Sequence, residues 1–157
     1  MGRFCPPHLG HSHLIDTAAA QVDRLVVFVN TREGEPVPGE LRARWLSELH
    51  PAVTVVEVRH DLDTNFDDDD LWDEWIALFR ARWPLDAEGD RRGPDVYFSS
   101  EAYGAEIAQR LGARAVDVDP DRVAVPISAS MIRADPRAHL EQLAPPVRAW
   151  VVDHLLG

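Results

Sequence analysis

The chain has 157 residues, an apolar fraction of 45% and a net charge of −11, a profile that indicates a folded domain rather than a disordered chain. The acidic charge argues against a nucleic-acid-binding surface, and no apolar run is long enough to cross a bilayer. Cys5 is the single cysteine, so no internal disulfide can form, and the N-terminal residues do not resemble a signal peptide. We therefore expect a cytoplasmic protein.

Predicted strands and helices alternate along the chain. In order they are a turn-rich loop over 1–12, a helix over 12–22, a strand over 24–30, a helix over 40–49, a strand over 53–58, an acidic loop over 60–70, a helix over 71–82, a strand over 94–99, a helix over 101–111, a strand over 113–118, and a helical remainder broken by Pro136, Pro145 and Pro146. This order predicts an α/β fold with a doubly wound, Rossmann-like parallel sheet. We expect residues 1–157 to form one domain.

Polar residue pairs lie at the carboxyl ends of three predicted strands, namely Asn30-Thr31, His60-Asp61 and Ser99-Ser100. In doubly wound sheets, ligands bind beyond the carboxyl ends of the strands. We therefore expect these pairs to line one binding rim. We expect the histidine-containing loop near the start of the chain and the predicted helix start at Ser128 to reach the same rim.

That loop contains His8 and His11 on either side of Gly10, directly before a predicted helix. Imidazoles at a helix N-terminus can donate hydrogen bonds to phosphate oxygens, and the helix end adds positive potential. Two other interpretations stay open: a surface loop rich in histidine, or a metal site formed by His8, His11 and His13. For such a metal site, no thiolate or carboxylate apart from Cys5 completes a recognisable ligand set.

A second segment, ISASMIR at residues 127–133, combines two hydroxyls and an arginine at a predicted helix start. Free amide groups, Ser128, Ser130 and the guanidinium of Arg133 together could bind phosphate oxygens. Alternatively, a serine merely caps the helix and the arginine faces solvent. The chain contains no lysine, so a lysine-containing P-loop is excluded.

Together the two segments, GRFCPPHLGH at 2–11 and ISASMIR at 127–133, resemble the nucleotidylyltransferase superfamily with the H-x-G-H signature. Within it the chain is most similar to NadR-type nicotinamide-nucleotide adenylyltransferases. The further segments that carry this similarity are WLSELHP at 45–51, LWDEW at 71–75, SSEAYG at 99–104, DPDR at 119–122, VPIS at 125–128 and RADP at 133–136. The resemblance covers nearly the whole chain.

This resemblance implies transfer of AMP from ATP to nicotinamide mononucleotide (NMN), which forms NAD and pyrophosphate. It implies that His8, His11 and Arg133 are catalytic and stabilise the phosphates in the transition state. It further implies that ATP is bound by Gly2, Arg3, Phe4, Ser128 and Ser130. Magnesium would arrive with ATP, held mainly by phosphate oxygens and water, so the resemblance predicts no dedicated metal site in the protein.

A nicotinamide ring is a flat cation and suits an aromatic partner, for which Trp72 is our first candidate and Trp75 our second. The alternative is that both tryptophans pack their helix into the core. Asn30, Glu101 and Tyr103 are further candidates for contacts with the substrate, although Glu101 could also be an acid at a helix start. The sequence is compatible with a homo-oligomer, and we expect no nucleic-acid or membrane partner.

The sequence departs from the family at its ends. The glycine-aromatic loop ordinarily follows a central strand, so we expect that strand to be missing and the complete protein to carry about eight to ten further residues. NadR-type proteins often continue into a P-loop kinase domain, for which this chain has no lysine. Two alternative functions stay open: transfer to another substrate of the superfamily, such as pantetheine phosphate, and nucleotide binding or sensing without turnover.

Overall fold

The computed structural model describes all 157 residues and contains four strands, six α-helices and one 3₁₀-helix. Their bounds are α1 Leu9–Ala19, β1 Val26–Thr31, α2 Gly39–Leu49, β2 Thr54–Arg59, α3 Asp69–Arg82, β3 Val96–Ser99, α4 Gly104–Leu111, β4 Arg114–Asp117, α5 Ala129–Ala134, the 3₁₀-helix Arg137–Gln142 and α6 Pro145–Leu155. The predicted alternation of an α/β fold with parallel strands is confirmed. None of these helices is both long and apolar enough to span a bilayer.

The chain divides into two compact units. The first consists of Met1–Arg59 together with Asp121–Gly157, and the second is the intervening segment His60–Pro120. The second unit is thus an insertion in the sequence of the first. The assignment of residues 1–157 to one domain stays a prediction.

In the first unit, β1 and β2 pair in parallel, with Val26 opposite Thr54 and Thr31 opposite Arg59. The middle of β1 is fully buried, as its continuous apolar sequence predicts. The predicted strand over 53–58 is present as β2, which is mostly half-buried, with Val58 as its buried residue. The reason is that β2 has β1 as its one neighbour in this sheet.

The N-terminal segment lies along the other edge of β1. The Gly2 amide donates to the Phe28 carbonyl at 3.0 Å, and the Asn30 amide donates to the Gly2 carbonyl at 2.9 Å. Successive residues of a strand direct their backbone N–H and C=O groups to opposite edges. The backbone groups of Phe28 and Asn30 therefore face the N-terminal segment, and those of Val29, which lies between them, face β2. Gly2 therefore forms a parallel bridge with Val29 on the edge opposite to β2.

Two apolar clusters stabilise the first unit. One surrounds the middle of β1 and contains Phe4, Ile15 and Leu46. The other joins the histidine-containing loop to the C-terminal helices, with the buried members Cys5, Val37, Trp45, Ile127, Ile132, Leu143, Val147 and Val151. Helices α5 and α6 are therefore packed against the N-terminal segment by apolar burial, which brings the two ends of the chain together.

In the second unit, β3 and β4 pair in parallel, with Val96 opposite Arg114. Helix α4 begins very close to the end of β3, since a Cβ atom on Gly104 would lie 2.5 Å from the Cβ of Ser99. Gly112 ends α4 in a left-handed conformation with φ of 73°, as the sequence predicts.

Several predicted boundaries are wrong. Helix α1 begins at Leu9 rather than at residue 12, because the His8 carbonyl already accepts from the amides of His11 and Ser12. Pro145 begins α6 instead of interrupting a helix, since a proline at the first helical position lacks only an amide hydrogen that the helix does not use. The segment before α5 is not helical, and Asp119 and Arg122 adopt positive φ there.

Candidate functional site

The two sequence motifs meet within the first unit. Arg133 on α5 donates from Nη1 to the carbonyl of Cys5 at 2.6 Å, which ties the start of α5 to the segment before His8. A Cβ atom on Gly10 would lie 3.5 Å from Cγ2 of Ile127, so the start of α1 packs against the residue that precedes Ser128. The amino ends of α1 and α5 are consequently neighbours.

His8 and His11 form a stacked pair, with ring centroids 3.6 Å apart and an angle of 25° between the ring planes. His8 is 4% exposed, and both of its ring nitrogens are buried without a hydrogen-bond partner. The absence of a side chain at Gly10 leaves room for the His8 ring, because a Cβ atom at Gly10 would lie 3.0 Å from Cε1 of His8. A buried imidazole without partners is costly for the protein alone, and a ligand that bonds to it would remove that cost.

His11 has a defined hydrogen-bonding role. Its Nδ1 accepts from the main-chain amide of His8 at 3.3 Å, so the neutral ring carries its proton on Nε2. The Phe4 ring contacts the His11 ring edge-on, with centroids 4.7 Å apart. The Nε2 proton of His11 is therefore a donor whose orientation is fixed by Phe4 on one side and by the start of α1 on the other.

Both histidines are neutral at pH 7. Burial, together with the nearby charge of Arg122, lowers the pKa of His8 to about 4. Burial also holds the pKa of His11 well below its usual value, and the charges of His8 and Arg122 act in the same direction. The imidazoles thus offer hydrogen bonds rather than permanent charge, and the permanent positive charge of the site comes from arginine.

Two arginines supply that charge, and one of them was not among the predicted site residues. Arg133 is half-buried and donates from Nη2 to Oγ of Ser130 at 3.2 Å, so it does not simply face solvent. Arg122 donates from Nη1 to the carbonyl of Ile127 at 2.9 Å and lies close enough to act on both histidines. The only sequence signal for Arg122 was its place in the DPDR segment at 119–122.

The two serines have different roles at the start of α5. The hydroxyl oxygen of Ser128 accepts from the Met131 amide at 3.2 Å, which makes Ser128 the N-cap, as the alternative interpretation held. Ser130 accepts from Arg133. In both cases the serine oxygen acts as an acceptor, so the hydroxyl hydrogen can still be donated to an anion.

The remaining candidates of the first unit lie near its sheet edge. Gly2 pairs with β1, and Phe4 is buried with φ of 50°. Arg3 is exposed and pairs with Glu35 at 2.8 Å. Asn30 lies at the end of β1, and its Oδ1 is buried without a partner.

The second unit holds the two candidate tryptophans. Trp72 is 6% exposed, donates from Nε1 to the Phe66 carbonyl at 3.1 Å and has the Arg110 guanidinium 5.3 Å from its ring centroid. Its surroundings favour the packing interpretation. Trp75 is half-buried and donates from Nε1 to the Asp63 carbonyl at 2.9 Å, so both indoles hold the loop before α3.

Glu101 and Tyr103 lie between β3 and α4. Glu101 is exposed and lies before α4. The acidic residue in the first turn of α4 is Glu106 rather than Glu101. Tyr103 stacks on Phe66 with centroids 5.0 Å apart and an angle of 18° between the rings. Phe66 is 53% exposed and was not among the predicted site residues, because a single aromatic residue in an acidic loop carries no periodic signal.

The donors that converge in the first unit suit an anion rather than a metal ion. They are imidazole, guanidinium and hydroxyl groups, whereas magnesium binds oxygen ligands with negative charge. No cluster of three or more His, Cys, Asp or Glu side chains with metal-binding geometry is found. Phosphate oxygens are the complementary ligands for this set.

A model of the cytidylyltransferase-like family matches residues 1–135, which is most of the chain. The chain belongs to this family. Nucleotidyltransferases make up the family, and the predicted resemblance to NadR-type members is confirmed by relatives with that name.

Two curated relatives are both named "Trifunctional NAD biosynthesis/regulator protein NadR". The protein from Salmonella typhimurium is 27% identical and that from Escherichia coli K12 is 28% identical. Each match covers 96% of this chain but 39% of the relative, so the chain spans about two fifths of their length.

Solved structures show the same fold. A crystal structure of a NadR protein in complex with NAD and AMP-PNP matches with a TM-score of 0.62 at 21% identity, over 90% of this chain and 42% of that one. A second NadR structure, in complex with NR, matches with a TM-score of 0.61 at 21% identity, over 90% of this chain and 41% of that one. The Rossmann-type α/β fold of the family is thereby confirmed.

Proposed function

We propose that this chain transfers AMP from ATP to NMN, forming NAD and pyrophosphate, as a cytoplasmic enzyme of NAD biosynthesis. The observation that carries the proposal is the meeting of His8, His11, Arg122, Arg133 and the serines of α5 at two adjacent helix starts. The names of the similar NadR proteins supply the substrate class.

In the proposed reaction, a phosphate oxygen of NMN attacks the α-phosphorus of ATP. The bond from this phosphorus to the bridging oxygen breaks, and pyrophosphate leaves with the electron pair. The nucleophile is already an anion, so the enzyme needs no covalent intermediate and no general base. Its contribution is orientation and stabilisation of charge.

Each residue of the site has a proposed role in that stabilisation. Nε2 of His11 and the protonated ring nitrogen of His8 donate to phosphate oxygens of ATP. Arg133, Arg122, Ser128 and Ser130 hold the β- and γ-phosphates and the leaving pyrophosphate. Gly2, Arg3 and Phe4 shape the loop beside ATP. Magnesium bound to the phosphate oxygens of ATP would neutralise part of their charge.

Within the first unit, Asn30 is proposed as a contact for the nicotinamide half of the substrate. Within the second unit, the aromatic residues are separate candidates for stacking on the nicotinamide ring. Asn30 offers a buried oxygen without a partner. Of the two tryptophans, Trp75 has the more accessible ring, and Trp72 is proposed to support the loop that carries Phe66. Glu101 and Tyr103, also in the second unit, are kept as proposed contacts with the substrate.

The deciding experiment measures NAD formation from NMN and Mg-ATP with purified protein, followed by a panel of other acceptors that includes pantetheine phosphate. We expect turnover with NMN. In His11→Ala, loss of a preorganised donor should lower kcat by a factor equivalent to about 2–4 kcal/mol. His154→Ala, at an exposed position on α6, is the matched control and should retain wild-type turnover.

Other results would point elsewhere. Transfer to another acceptor, but not to NMN, would support a different specificity within the family. Binding of AMP-PNP without any turnover would support a sensing function. Wild-type turnover in His11→Ala would contradict the role of His11.

A further inference from the structure

The pairing between the N-terminal segment and β1 stops abruptly after Gly2. If parallel pairing continued, the next bonds would join the Phe4 amide to the Asn30 carbonyl and the Arg32 amide to the Phe4 carbonyl. Instead, the Asn30 carbonyl accepts from Nη1 of Arg42 at 3.3 Å. The Arg32 amide donates to Oε2 of Glu35 at 3.1 Å. Hydrogen bonds to the side chains of Arg42 and Glu35 therefore replace the two backbone hydrogen bonds that would continue the parallel pairing.

These two side chains form an ion pair, Nη2 of Arg42 with Oε2 of Glu35, which we call the ladder-end pair. Arg42 is fully buried on α2, and the Glu35 side chain is 8% exposed. Nη1 of Arg42 also donates to the carbonyl of Arg3, and Oε1 of Glu35 accepts from Nε of Arg3 at 2.8 Å. The pair thus binds both chain segments at the point where they separate.

The separation has a direct consequence for the histidines. The backbone turns at Phe4, which has φ of 50°, one residue after the carbonyl that Arg42 holds. This turn places the Phe4 ring edge-on against His11. A connected series of contacts therefore runs from Arg42 through the Arg3 carbonyl and the Phe4 turn to the His11 ring.

We propose that the ladder-end pair positions His11: by ending the pairing between the N-terminal segment and β1, it directs the chain at Phe4 so that the His11 ring is held for phosphate binding. Arg42 and Glu35 are positioning residues, because their hydrogen bonds and ion pairs are with Arg3, Asn30, Arg32 and each other rather than with the histidines. Arginine suits this place because its planar group can donate to several acceptors at once, whereas a lysine ammonium is a point charge. The kinetic test of this proposal rests on the proposed function, whereas the test by NMR does not.

Two variants test the proposal. Arg42→Lys keeps the charge and loses the planar fork. The double variant Arg42→Met, Glu35→Leu replaces the buried pair by apolar side chains of similar size, an exchange that often leaves stability unchanged or raises it. The matched control is Arg44→Met on the same helix, because Arg44 is exposed and its contact with Glu48 is 3.9 Å long.

The first measurement is independent of activity and uses ¹⁵N NMR of the His11 imidazole at pH 7. In the wild type and in Arg44→Met we expect one tautomer with the proton on Nε2. In both ladder-end variants we expect exchange between tautomers, with unchanged far-ultraviolet circular dichroism. A folded variant that keeps the single wild-type tautomer would overturn the proposal. If the double variant does not fold, Arg42→Lys alone gives the same decision.

The second measurement is steady-state kinetics of AMP transfer. We expect kcat to fall by about tenfold to a hundredfold in the ladder-end variants, since a displacement of about 1 Å can cost about a hundredfold. We expect a smaller change in KM for ATP, because Arg122, Arg133 and the serines remain in place. Unchanged kcat in folded variants would contradict positioning. Absence of turnover in the wild type would instead contradict the proposed function, and the NMR result would still decide the role of the pair.

Discussion

At the scale of single residues, the site keeps its histidines neutral and its arginines charged. Two stacked imidazoles with centroids 3.6 Å apart cannot both be protonated beside Arg122 without strong repulsion. An arriving polyphosphate would add negative charge at the same place and would favour proton uptake. Phosphate binding and protonation of these histidines are therefore expected to be coupled.

This electrostatic environment predicts how stability depends on pH. The pKa of His8 is about 4 in the folded protein and about 6.5 in an unfolded chain. Between these values the unfolded chain binds the proton that the folded protein excludes, so the free energy of unfolding falls as pH is lowered. From pH 7 to pH 5 the loss from His8 is about 2 kcal/mol, and His11 changes stability in the same direction.

Urea unfolding at pH 7 and pH 5 measures this effect. His8→Asn removes the titrating group, and we expect its free energy of unfolding to change less between the two pH values than that of the wild type. His154→Gln removes an exposed imidazole and should keep the wild-type difference. Equal pH dependence in the wild type and in His8→Asn would contradict a buried, unpaired His8.

The sequence predicted the residues of the site unequally. His8, His11 and the serines of α5 belong to short motifs, and the structure places them at adjacent helix starts. Arg122 and Arg42 were not predicted, because each is one of 16 arginines and acquires its role from contacts with residues distant in sequence. Burial of a charged residue is decided by packing and leaves no local pattern.

At the scale of elements, the order was predictable and several boundaries were not. Hydrophobic periodicity indicated each strand and most helices. The starts of α1 and α4 depend on hydrogen bonds of His8 and on the close approach of Gly104 to Ser99, which periodicity does not contain. A similar approach occurs at the start of α2, where a Cβ atom on Gly39 would lie 2.1 Å from Cγ2 of Thr31.

The Gly39 contact predicts a strong effect of a small substitution. In Gly39→Ala the new methyl group overlaps Thr31 at the end of β1, and we expect a loss of about 2–3 kcal/mol in the free energy of unfolding. Gly112→Ala is the control. The position of Gly112 is open, and its φ of 73° alone should cost about 1 kcal/mol. Urea midpoints with an unchanged m-value measure both losses, and a loss in Gly39→Ala no larger than that in Gly112→Ala would contradict the predicted overlap with Thr31.

At the scale of the whole molecule, the net charge of −11 contrasts with the cationic site. We expect this acidity to disfavour nucleic acid, because the positive charge of the candidate site is confined to the place where two helix starts and two arginines meet. The acidic surface as a whole repels anions, whereas the local cluster of arginines and helix starts attracts them. This favours a small anionic ligand that fits the cluster over an extended polyanion.

The arrangement of the two units leads to a prediction about cooperativity. The second unit, His60–Pro120, contains a two-stranded sheet, and two strands alone are marginally stable in water. Both of its ends continue into the first unit, so we expect the whole chain to unfold in one transition. In a Trp45→Phe, Trp150→Phe variant the three remaining tryptophans, Trp72, Trp75 and Trp83, all lie in the second unit, so its fluorescence reports the second unit alone. Its thermal midpoint should coincide with that from far-ultraviolet circular dichroism, with equal calorimetric and van't Hoff enthalpies. Two separated midpoints would show instead that residues 60–120 unfold as a domain of their own.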